Sequence, residues 1–274
     1  MMRAPSPILI AGFGVFCGCM VDALIKGMSA ELAVITITLW RFIFGAVYTL
    51  GAFGLARRPM PSWPAIRFHA MRGCVSVVSA LCFFWALTQL GLAEATVLGF
   101  PAALMIAPIA RVVLGEKITA VSVAAALIGF AGAAFAISGG TSGGPEDGNR
   151  LLGAISTLVA AFTYALVIVL VRLRTRQEDS LTIVMFSNVM PCLILGAIVL
   201  GIEASPAWPG LVTLPARDQM PTLAVIGCFG LSIWWMFTLA YARAPAQRLA
   251  HLEYTALSWA GLLGFVFFRE MPSW

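Results

Sequence analysis

The chain has 274 residues, of which 61% are hydrophobic and only 11% charged, with a formal net charge of +5. A soluble domain carries about 25% charged residues to wet its surface, so a water-exposed globule is excluded and the chain belongs in lipid. No basic patch interleaved with aromatics accompanies the positive excess, which speaks against nucleic acid and for Lys/Arg retention at one membrane face.

A helix needs about 20 apolar residues to cross about 30 Å of hydrocarbon. Nine stretches meet that need: 8–28, 31–55, 68–89, 93–114, 118–138, 151–172, 181–202, 219–241 and 245–268. The first resembles a signal peptide but lacks a clear A-x-A site and is followed by many more apolar runs, so it reads as a retained span. Within it Asp22 and Lys26 stand four apart, acid first, the favourable order for an ion pair. Gly14 and Gly18 form a G-x-x-x-G that serves close packing within the chain rather than dimerisation. The second span carries Arg41 about 15 Å from its start, near the midplane. It either pairs with Asp22 to lock two helices or grips an anionic substrate group.

Ser76, Ser79 and Phe83 share a face of the third span, with Trp85 near its outer end. Glu94 opens the fourth, where a carboxylate suits the helix dipole, and Pro101 and Pro108 are expected to bend it. A Gly-rich stretch, "GGTSGGPEDGNR" (139–150), reads as a linker between two halves, 8–138 and 151–274. Thr157 and Tyr164 align on the sixth span, and Trp234, Thr238 and Tyr241 on the eighth. The stretch "EASPAWPGLVTLPARD" (203–218) reads as an interfacial loop.

In the ninth span Arg248, His251, Tyr254, Thr255 and Ser258 recur at helical steps as one polar stripe, expected to face a cavity. Glu253 then points about 200° from His251, unless the helix is distorted, and becomes an interhelical partner or a protonation site. Its first residue of note, Arg248, is expected not to pair with Glu94, which lies on the other face. The six cysteines all fall in apolar runs without a C-x-x-C pair and read as buried, reduced packing residues.

With the N-terminus in the cytoplasm, twelve Lys/Arg fall on the inner side and four (Lys26, Arg150, Arg217, Arg269) on the outer, leaving Arg41 inside the membrane. The expected setting is therefore the cell (inner or plasma) membrane, multi-pass, N-terminus in. Laying 84–116 over 238–270 needs no gap at a constant offset of 154 and superimposes Glu116 on Glu270. Five spans in the first half start the second half from the opposite side, which makes an inverted repeat.

"ALTQLGLAEATVLGFPAALMIAPIARVVLGEKIT" (86–119) and "HLEYTALSWAGLLGFVFFREMPSW" (251–274) resemble the two copies of the EamA-like repeat of the drug/metabolite transporter superfamily. Leu114-Gly115-Glu116-Lys117 follows the family's G-E-x ending, and Arg269-Glu270-Met271 departs from it by Arg for Gly. The resemblance implies an all-α membrane protein of two inverted five-helix repeats around a substrate cavity. Nine of ten spans fall in this sequence, and "MPSW" reads as the entrance to a tenth.

The function expected is a secondary transporter, an exporter, of a small organic metabolite such as an amino acid, vitamin or nucleotide-like compound, by alternating access. A membrane-embedded enzyme or a channel is the alternative. No G-x-x-x-x-G-K-[ST], H-E-x-x-H or G-x-S-x-G occurs, so neither catalysis, nor a cofactor, nor a metal is expected. The substrate candidates are Arg41, Trp85, Tyr164, Trp234, Thr238, Tyr241, His251, Tyr254 and Thr255. Asp22, Glu253 and His251 are the candidates for proton coupling. Partners are a small-molecule substrate and the bilayer, with a monomer expected over a homodimer.

Overall fold

A computed structural model describes residues 6–115, 148–204 and 213–270, together with 118, 120, 123–124, 127–128 and 131; the side chains of residues 247, 250 and 251 fall outside the description. The described residues are helical: α1 (Pro7–Met28), α2 (Val34–Leu55), α3 (Trp63–Ala86), α4 (Leu92–Gly99), α5 (Pro101–Leu114), α6 (Arg150–Arg174), α7 (Ser180–Glu203), α8 (Met220–Arg243), α9 (Ala246–Leu249), a 3-10 turn (Ala250–Tyr254) and α10 (Thr255–Phe268). Seven spans among them are long and apolar enough to cross a membrane, with α4 and α5 counting as one; Leu252–Phe268 is a shorter apolar helix. The expected span over 118–138, the linker over 139–147 and the ending at 271–274 lie outside the described residues, apart from isolated positions of the first.

Helix starts follow local chemistry. Ser6 Oγ accepts from the Leu9 amide at 3.3 Å and Pro7 occupies the first turn, where its missing N–H costs nothing. Asn149 caps α6 through the Leu152 amide. Asp179 caps α7, accepting from the Leu181 and Thr182 amides at 2.9 and 3.1 Å. The third span starts at Trp63 and not at 68, because Pro64 fits the first turn and extends the helix into the polar stretch before it.

Two interruptions matter for the site. The fourth span breaks at Phe100, where α4 ends at Gly99 and Pro101 opens α5. The ninth, expected as one helix over 245–268, is instead α9, a 3-10 turn and α10. With the offset of 154 the breaks coincide: α5 begins at Pro101 and α10 at Thr255, both run 14 residues, and both end in a left-handed cap, Gly115 (φ 68°) and Arg269 (φ 55°). The residues before them, Phe100 and Tyr254, meet edge to face with ring centroids 5.0 Å apart.

Packing runs largely between the two halves: α1 lies on α8, α3 on α6, and α2 on both α7 and α8. Small residues set these approaches. A Cβ on Gly14 would stand 3.0 Å from the Phe237 ring, one on Gly45 2.3 Å from Asn188 Oδ1, and one on Gly227 2.5 Å from Phe44 Cβ. Gly14 of the G-x-x-x-G thus packs within the chain, as expected, whereas Gly18 faces open space. The cysteines are free but not all buried: Cys17 and Cys19 are, Cys82 and Cys192 are half-buried, and Cys74 and Cys228 are exposed. Thiols that are neither charged nor strongly polar sit as readily toward lipid as toward a neighbouring helix.

Polar ties gather at the two ends of the bundle. At the face where α1 ends, Lys26 Nζ donates to Glu270 Oε1 at 2.6 Å and to the Leu90 carbonyl at 2.9 Å, and Glu270 Oε2 accepts from the Leu92 amide at 2.9 Å. The expected Asp22–Lys26 pair does not form, because Glu270 and a bare turn carbonyl lie within reach of the Lys26 ammonium. Glu94 pairs with Arg150 at 2.6 Å on the same face. At the face where α1 begins, His69, Arg72, Arg174 and Glu178 form a buried network joining α3 to the α6–α7 turn.

Candidate functional site

A cavity of about 210 Å³ lies among α1, α2, α3, α6 and α8, with the α4–α5 break and the 3-10 turn completing its wall. Its ionisable lining is Cys19, Asp22, Arg41, Tyr164 and Glu253, and its aromatic lining includes Phe42, Phe83, Phe84, Phe100, Trp234 and Phe237. Ser76, Ser79 and Thr96 add hydroxyls, but Ser79 Oγ is committed to the Ala160 carbonyl and Thr96 Oγ1 to the Leu92 carbonyl.

The two helix breaks make this wall. A continuous helix turns about 100° per residue, so His251 and Glu253 would point apart. The 3-10 turn over Ala250–Tyr254 winds tighter, at about 120° per residue, and places Glu253 on the cavity. Tyr164 Oη donates to Glu253 Oε1 at 3.0 Å, tying α6 to the turn. Cys19 Sγ approaches the Ala256 carbonyl at 3.7 Å, closing α1 against α10.

Arg41 is 6% exposed, and its guanidinium stacks on Phe42 and Phe84, with Cζ 4.6 and 5.8 Å from the ring centroids. It makes no hydrogen bond to any described residue, and its Nε is buried without a partner. No direct ion pair joins it to Asp22; both line one cavity and attract across it. Trp234, 7% exposed, likewise keeps its indole N–H buried and unpartnered.

Of the residues singled out from sequence, the cavity brings together Asp22, Arg41, Tyr164, Trp234 and Glu253. Trp85 is 39% exposed near the end of α3 and lies outside the lining. Thr238 and Tyr241 are fully buried in α8, one and two turns past Trp234, and do not reach the cavity. Tyr254 packs against Phe100, and Thr255 is exposed with its hydroxyl on the Leu252 carbonyl, because the 3-10 turn rotates the expected stripe away. The His251 side chain lies outside the description. Sequence reasoning missed Gly230, whose Cβ would stand 2.8 Å from Arg41 Nε. It also missed the terminal network, whose members are far apart in the chain.

Comparison with known proteins agrees with this architecture. The EamA-like transporter family matches residues 6–138 and again residues 151–274. An uncharacterized transporter of Helicobacter pylori (strain J99 / ATCC 700824) is 27% identical over 195 residues, 71% of this chain and 63% of that protein. A riboflavin transporter of Brucella anthropi is 24% identical over 249 residues, 90% of this chain and 84% of that protein. The chain thus spans just under two thirds of the length of the Helicobacter relatives it matches. A protein of known crystal structure shares the fold with a TM-score of 0.71 at 22% identity, covering 97% of this chain and 90% of that one. A multi-pass bundle of apolar helices matched by one family over both of its halves leaves a single assignment: the chain belongs to the EamA-like transporter family.

Proposed function

We propose that the chain is a secondary transporter, an exporter, that moves a small organic metabolite across the cell membrane by alternating access of two inverted five-helix repeats, with its N-terminus in the cytoplasm. The observation that carries this is the matched pair of broken spans: α5 and α10 start and end at positions 154 apart, and Phe100 meets Tyr254 beside the cavity. Such a relation suits two units that rock about a shared site. The charge bias of the loops supports the orientation.

The cavity is the substrate site in this reading, with Arg41, Tyr164 and Trp234 as its contacts; Asp22 and Glu253 are the groups through which a proton would couple. Its volume of about 210 Å³ is below the roughly 300–1,000 Å³ of sites for drug-sized ligands, which favours an amino-acid-sized solute. The aromatic lining and the riboflavin transporter among the relatives favour a flat ring system as a second reading. Purified protein in liposomes decides the class: saturable counterflow of a preloaded solute is expected. Ohmic current, or chemical turnover of the solute without flux, would reject transport in favour of a channel or an enzyme.

A further inference from the structure

We propose that the cavity recognises a single carboxylate, held between the Arg41 guanidinium and the Trp234 indole N–H, with Gly230 leaving room for the guanidinium. The substrate class is then a small monocarboxylate whose remainder is neutral or cationic. The inference rests on the cavity being the substrate site.

Two buried donors line one cavity with no acceptor: Arg41 at 6% exposure and Trp234 at 7%. An unmet buried donor is costly, and a charged one more so. The described residues offer Arg41 only ring faces, Phe42 and Phe84, which fix the plane of the guanidinium without using its N–H groups. A planar fork held in place with free donors matches a carboxylate two-to-two. Gly230 is specific to this arrangement. Any larger residue would put a Cβ 2.8 Å from Nε and 3.2 Å from Cζ, displacing the guanidinium.

The rest of the lining limits the ligand to one negative charge. Asp22 and Glu253 border the same volume of about 210 Å³, and neither pairs with Arg41. A second carboxylate would be forced against them at low dielectric. A neutral or cationic group there meets Asp22 favourably.

Full-length protein in detergent is titrated with leucine, 4-methylpentanoate, leucinamide and glutarate, following tryptophan fluorescence and melting temperature. Leucine or 4-methylpentanoate should bind about tenfold or more tighter than leucinamide and glutarate. Gly230→Ala and Arg41→Lys should each weaken carboxylate binding about tenfold, clearly more than they weaken leucinamide binding. Leucinamide binding as tightly as leucine overturns the proposal, as does the lack of any shift with both monocarboxylates. If the variants fail to fold, the wild-type acid-to-amide ratio decides alone. Counterflow in liposomes separates the two readings: flux of a neutral solute with no carboxylate preference sinks this proposal only, and selective binding without flux sinks transport only.

Discussion

Arg269 holds a left-handed conformation (φ 55°) at the position where its counterpart, 154 residues earlier, is Gly115 (φ 68°). A Cβ in that region crowds the following carbonyl at a cost of about 1 kcal/mol, and Gly avoids it. The strain persists because the cap delivers the next residue: Glu270 receives Lys26 at 2.6 Å and the Leu92 amide at 2.9 Å, joining α1, the α3–α4 turn and α10. Arg269→Gly should therefore raise the melting temperature of the detergent-solubilised protein, by about 1 kcal/mol in stability less the entropy that Gly adds to the unfolded chain. A lower melting temperature would show that the Arg269 side chain supplies contacts that outweigh its backbone strain. The departure from Gly was visible in the sequence; its cost was visible only once φ was known.

At the scale of elements, the buried network at the end where α1 begins is held by donor logic. A guanidinium has only donors, so His69 Nδ1 accepts from Arg72 Nη2 at 3.1 Å, and the remaining ring proton on Nε2 donates to Glu178 Oε2 at 2.7 Å. Arg72 also reaches Ser187 Oγ at 2.8 Å and the Ile183 carbonyl at 3.3 Å, and Arg174 forms an ion pair with Glu178 at 3.3 Å while stacking on Phe68. Burial raises the Glu178 carboxyl, but the His69 hydrogen bond and the Arg174 and Arg72 charges outweigh it and hold it below its ordinary 4.5. A group with a depressed folded value contributes stability above its unfolded value and loses it as pH falls through the folded one. Melting temperature should then be flat on this account above about pH 5 and fall below pH 4.5. Glu178→Gln should lower it at neutral pH and remove part of the acid slope. An unchanged slope would place the acid sensitivity in other carboxyls.

The long spans were legible because the membrane requirement is written as runs of apolar residues, and the α4–α5 break because Pro101 announces it. The 3-10 turn was not. "AHLEY" (250–254) contains neither Pro nor Gly to announce a tighter winding, and the turn packs against α5 and α1. That one miss moved Glu253 into the cavity and Thr255 out of it. The terminal network was hidden for a different reason: His69 and Glu178 are 109 residues apart, and Arg72 reads equally well as one more inner-side cation.

For the whole molecule, each half sends the turn after its first helix to the start of the other half's third. At one end the α6–α7 turn meets α3 through Glu178 and His69; at the other the α1–α2 turn meets the start of α8, where Gln219 Nε2 donates to Glu31 Oε2 at 2.9 Å. The first tie is a largely buried charged network and the second a single exposed hydrogen bond, set on the same face as the Lys26–Glu270 and Glu94–Arg150 pairs that also join the halves. If the halves rock, these two ties must part in turn. Glu31→Cys with Gln219→Cys puts thiols on an exposed pair whose loss costs little in folding. Joined by a short bis-methanethiosulfonate, which forms a disulfide with each thiol as methanesulfinate leaves and which a reducing agent can cleave, the protein should lose counterflow, regain it on reduction, and still bind solute from the other face throughout. The uncleaved, unjoined double variant should transport as wild type does. Exchange that continues at the wild-type rate while the link is intact would mean that this end never opens, and solute would have to cross the bundle by a path that leaves α8 and the α1–α2 turn together.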